Sequence, residues 1–106
     1  MIGQRIALVQ ATFPDLETAL RIGRRLVEER HAACANLLGA CRSVYRWVGR
    51  IEEADEVVAQ FKTVPARVEK LVARLTELHP YDLPVVEHWE AEADPVVKRW
   101  LERETG

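Results

Sequence analysis

A chain of 106 residues, 48% apolar and 30% charged, has room for one domain and one modest core. A net charge of −2 lacks the basic excess that phosphate binding needs, and the ordinary apolar content argues against disorder. Two cysteines, Cys34 and Cys41, are too few for a disulfide scaffold and form no CxxC pair.

Residues 6–11 are a short apolar run closed by Thr12-Phe13-Pro14-Asp15, which predicts a buried strand and then a turn. Asp15 suits a helix N-cap, its carboxylate accepting from a free N–H of the first turn. Leu16, Ala19, Leu20, Gly23, Leu26 and Val27 then recur at helical spacing to about residue 30. Gly23 on that stripe costs about 1 kcal/mol in helix propensity and lets another element approach closely. Segments 33–47 and 51–62 predict two long strands joined at Val48-Gly49-Arg50. In the second strand Val57, Ala59 and Phe61 alternate with Val58, Gln60 and Lys62. Thr63-Val64-Pro65 opens a second helix, with Thr63 as cap and an apolar stripe of Val68, Leu71, Val72, Leu75 and Leu78. His79-Pro80 ends it, Tyr81-Asp82-Leu83-Pro84 is a loop, and residues 85–91 predict a fourth strand. Asp94-Pro95 opens a last helix bearing Val97, Trp100 and Leu101.

The predicted order is β-α-β-β-α-β followed by α, an α+β ferredoxin-like sandwich with an extra C-terminal helix and a single domain over 1–106. The N-terminus lacks a secretory hydrophobic core, and no apolar run approaches the roughly 18 residues of a membrane span. A soluble protein of a reducing compartment, the cytoplasm, is expected, with no nucleic-acid or membrane partner.

Residues 34–47 in strand conformation would span about 45 Å, against a radius of gyration near 13 Å for a compact domain of this size. The central hairpin should therefore overhang its own core, with Val44, Tyr45, Trp47, Val57 and Val58 on the overhang. Leaving them wet is costly, and an uncovered hairpin edge invites pairing. Further copies of the chain closing into a ring would cover it. Charge is also unevenly placed. Residues 1–51 carry eight Arg or Lys against four Asp or Glu, a balance of +4, and residues 52–106 carry seven against thirteen, a balance of −6.

The stretches LVEERHAACANLLGACRSVYRWVGRIEE (26–53), EVVAQFKT (56–63) and LHPYDLPVV (78–86), with Thr12-Phe13-Pro14-Asp15 and Trp100-Leu101, resemble the CutA divalent-cation tolerance family. The resemblance covers nearly the whole chain. It implies a tight PII-like homotrimer built from the long hairpins and a link to copper and divalent-metal tolerance. Gly39-Ala40 stands where the family usually has Pro-Gly, so a different glycine position keeps the bend in the second strand. Ala11 stands where some relatives carry a cysteine, which removes one thiolate.

Among titratable groups, His79 is the candidate metal ligand, since neutral imidazole suits copper and zinc. The competing role is capping the preceding helix. Cys34 and Cys41 are seven apart and point to opposite faces of an unbroken strand, whereas a bulge near Gly39 returns them to one face. Tyr45, Trp47, Glu56, Lys62 and Tyr81 form a polar-aromatic set, at positions that in the family line clefts between subunits. Such a set could hold a small anionic ligand, or serve as interface anchors. The acidic stretches around 52–56 and 87–94 have no EF-hand spacing and read as solvated surface. The sequence has no GxSxG, P-loop, GxGxxG or HExxH motif, so an enzyme is not expected. The leading expectation is a trimer that binds Cu(II) or another divalent cation weakly, with no obligatory cofactor. The alternatives are a PII-like module for a small anion and a trimeric scaffold for a partner protein.

Overall fold

The computed structural model describes residues 4–106. Its elements are β1 (Gln4–Phe13), α1 (Leu16–Glu28), β2 (Cys34–Trp47), β3 (Arg50–Thr63), a 3-10 turn (Pro65–Arg67), α2 (Val68–Leu78), β4 (Val86–Ala93) and α3 (Pro95–Thr105). The strands form one antiparallel sheet in the order β2-β3-β1-β4, the ferredoxin-like arrangement expected from the β-α-β-β-α-β order. Among the described residues no helix is long and apolar enough to cross a membrane.

Alternation along β3 decides which face is buried. Val57, Ala59, Phe61 and Thr63 pair with Phe13, Ala11, Val9 and Ala7 of β1, and these residues meet α1 and α2. Phe13 and Phe61 are fully buried there and touch edge to face, with ring centroids 6.4 Å apart. Leu26, Leu71 and Leu75 close the cluster from the helices. A Cβ added at Gly23 would lie 3.2 Å from the Cβ of Ala35, so the glycine does allow α1 to lie close on β2. The opposite face is largely open. α3 packs against β1 and β3 from that side, and Ile6 and Leu101 are buried apart from the main cluster.

Asp15 caps α1 as predicted, accepting from the Thr18 N–H at 2.7 Å. The α1 stripe is shifted, however. Ala19, Ile22, Gly23 and Leu26 are buried at i, i+3, i+4, i+7 spacing, while Leu16 and Leu20 face outward. Thr63 is not a cap: it remains in the β3 ladder opposite Ala7 and donates its hydroxyl to the His31 carbonyl at 2.9 Å. β1 also runs on through Thr12 and Phe13, because β3 continues to offer partners there. β4 starts at Val86 and extends to Ala93.

β1 stops pairing with β3 at the Phe13–Val57 pair, so residues Arg50 to Glu56 pair with β2 alone. The hairpin closes through Val48 and Gly49, both at positive φ (49° and 76°), which matches the right-handed twist of the flanking strands. The overhang stretches the molecule to 49 × 27 × 22 Å and raises the radius of gyration to 14.6 Å.

Candidate functional site

Where the hairpin leaves the body, β3 and the loop after α2 bring Glu56, Tyr81 and His79 together. Glu56 lies on β3, opposite Cys41 and on the open face. It accepts hydrogen bonds from the Ser43 hydroxyl at 2.5 Å and the Tyr81 hydroxyl at 2.7 Å. Only 8% of the residue is exposed. Burial pushes its carboxyl upward, but bonds from Ser43, Tyr81 and the Thr12 side chain outweigh burial, and the net shift is below the ordinary carboxylate value. For Tyr81, burial and then the Glu56 carboxylate hold the phenol far above its ordinary value, so the hydroxyl stays a donor.

His79 follows α2, where its own N–H bonds the Leu75 carbonyl. Its ring lies on Phe13 with centroids 4.8 Å apart and planes at 27°. Nδ1 accepts from the Tyr81 N–H at 3.2 Å, which leaves Nε2 to carry the proton and donate to the Thr12 carbonyl at 2.8 Å. Burial lowers the imidazole pKa, partly offset by the Thr12 carbonyl and Glu56. Both ring nitrogens are therefore engaged. Nδ1 is the one with a lone pair, and a metal reaching it must displace the Tyr81 N–H.

The remaining predicted residues lie elsewhere. Tyr45 and Trp47 share the open face of the overhang and are 43% and 44% exposed. Lys62 is on the same face but six residues along β3 from Glu56, about 20 Å away at strand spacing. There it bonds the Asn36 amide oxygen at 2.5 Å rather than joining the cluster. The register shift between Leu37 and Gly39 does place Cys34 and Cys41 on one face, opposite Lys62 and Glu56 respectively. The same six-residue separation keeps the two thiols from sharing a site. Among the described residues no three His, Cys, Asp or Glu side chains converge as a metal site within one chain.

Sequence reasoning missed Ser43, Thr12 and Phe13. A serine within a strand carries no signal of its own. Placing it beside Glu56 requires the β2–β3 register, which the bulge changes.

The same fold and hairpin recur in known proteins. The family model described as CutA1 divalent ion tolerance protein matches residues 7–104. The divalent-cation tolerance protein CutA of Thermus thermophilus is 39% identical over 100 residues, covering 93% of this chain and 97% of that one. Its counterpart from Pyrococcus horikoshii is 47% identical over 79 residues, covering 74% and 76%. A crystal structure of CutA1 from P. horikoshii superposes with a TM-score of 0.89 at 40% identity, over 94% of this chain and 98% of that one. Matching extends from β1 into α3 and takes in the overhanging hairpin and the loop that carries His79 and Tyr81, so the chain belongs to the CutA1 divalent ion tolerance protein family.

Proposed function

We propose that the protein acts in divalent-cation tolerance as a cytoplasmic homotrimer, binding Cu(II) or another divalent cation weakly and working as a binding protein rather than an enzyme. The observation that carries the assembly is the overhang. Val44, Tyr45, Trp47 and Ile51 stay exposed in one chain, and further copies are the cover that a ring-closing hairpin supplies. Two unpaired thiols suit a reducing compartment.

For the cation, the donors near the base of the hairpin are His79 Nδ1, the Glu56 carboxylate and the Cys41 thiol. Glu56 is already engaged by the Ser43 and Tyr81 hydroxyls and the Thr12 side chain, and Cys41 Sγ lies 3.8 Å from Ser43 Oγ. One or two donors per chain make a weak site, and Cu(II) heads the affinity order for such ligands. A small anion fits this face less well, because its one buried charge, Glu56, is negative and Lys62 lies at the far end of the sheet.

Titration with Cu(II) and Zn(II), on wild type and His79→Ala, tests the ligand. The variant should bind Cu(II) about tenfold more weakly, the scale of one lost donor. Identical isotherms would remove His79 as ligand. Mass in solution tests the assembly, and a monomer at micromolar concentration would remove the trimer.

A further inference from the structure

The hairpin leaves the body at a built bend. β1 stops at the Phe13–Val57 pair, and next to it the register of β2 on β3 shifts between Leu37 and Gly39, with Gly39 opposite Val58. Gly39 has φ +124°, and a Cβ there would have nothing within 4 Å. Backbone conformation, not space, calls for glycine at this point. A bulge bends its strand and increases local twist, so the direction of the overhang is set here.

A side-chain tie crosses the bend. Ser43 and Glu56 lie on the hairpin side, beyond the last β1 pair. Tyr81 belongs to the body: its N–H is held by His79, whose ring bonds Thr12 and lies on Phe13. The Tyr81 hydroxyl reaches across to Glu56 at 2.7 Å, Ser43 donates to the other carboxylate oxygen, and the Thr12 side chain adds a weaker contact from the body. Hydrogen bonds of this kind to a nearly buried carboxylate are among the strong ones.

We propose that Tyr81 and Glu56 form a latch that fixes the angle of the hairpin against the body, with the bulge at Leu38 and Gly39 as its pivot. Closed, the latch presents the hairpin face in one orientation. Open, it lets the hairpin swing about the bulge and lose register with a second copy. That last consequence rests on the trimer reading, whereas the latch itself is a property of one chain.

Tyr81→Phe keeps the ring and removes the bond. Hydrogen exchange on the full chain, with mass measured in the same solution, reads the result. Amides of 41–56 should exchange about tenfold faster, the scale of one hydrogen bond to a charged group, with α1, α2 and the mass unchanged. Glu56→Gln retains one acceptor oxygen and should give a smaller rise. Unchanged hairpin exchange overturns the latch, as does a rise shared equally by α1 and α2, or one that comes only with a fall in mass. A monomeric wild type would instead remove the trimer reading and leave the latch to be judged by exchange alone.

Discussion

At the body end Phe13, Ile22, Phe61 and Leu71 are fully enclosed between the sheet and two helices, whereas at the hairpin end Val44, Tyr45, Trp47 and Ile51 are 43–65% exposed. Both ends belong to the same two long strands, and both carry large apolar side chains. The body completes its packing within one chain. Among the described residues the hairpin is held by its own ladder, the Arg42 ion pairs with Glu53 and Asp55, and the Glu56 tie, and its large apolar groups are left without cover from the same chain. On the proposed trimer reading, stability of the fold and stability of the assembly should therefore be separable by mutation.

The largest effect should come from the body. Phe61→Ala removes a fully buried ring beside Phe13 and should cost about 3–5 kcal/mol, read as a lower midpoint in denaturant. A cost under about 1 kcal/mol would mean that the body is not the main source of fold stability. Trp47→Ala addresses the other end. It should leave secondary structure intact and weaken assembly by about 2–4 kcal/mol, measured as dissociation on dilution. If it instead unfolded the chain with no intermediate loss of mass, the contrast between the two ends would fail.

The smallest and most gradual effect is with pH. The folded His79 pKa lies below the ordinary 6.5, with burial as the main cause. The unfolded chain thus takes up that proton first, and the stability present above pH 6.5 is lost as pH falls toward the folded value. A second loss follows further down. Glu29, bonded by Arg74 and Arg25, is held at about 2 against an ordinary 4.5, so its contribution is present above 4.5 and disappears toward 2. Thermal midpoints across pH should fall in these two stages, and His79→Gln should flatten the upper one. An upper stage that persists in this variant would assign it to another group.

Regular elements were legible because their spacing is carried by many residues at once. Val57, Ala59 and Phe61 set the β3 face, Leu71 and Leu75 the α2 face, and Asp15 and Pro95 the starts of α1 and α3. Features set by a single residue were harder to see. The extra residue at Leu38 barely disturbs the alternation, yet it decides which side chains share a face with Glu56. Thr63 has the chemistry of a cap and the right place before Pro65, but the strand claims it first. Leu16 and Leu20 fit a helical stripe in sequence, and only packing against the sheet shows that Ile22 lies under it instead. At the site, Glu56, His79 and Tyr81 were recognisable as candidates by type. The Glu56–Tyr81 bond was not, since it joins residues far apart in the chain and depends on where the hairpin bends.

The position of β1 bears on how the chain reaches this state. β1 lies inside the sheet, with Val9 paired to Phe61 on one side and to His88 on the other. It leaves the ribosome before the other three strands, as an apolar segment whose partners do not yet exist. The β2–β3 hairpin, closed by a two-residue turn, is the part of the sheet that can form locally. β1 gains its first neighbour when β3 is complete and its second only when β4 follows. Completion of the sheet is thus deferred until β4 has been made, and over that interval β1 is the segment most exposed to mispairing.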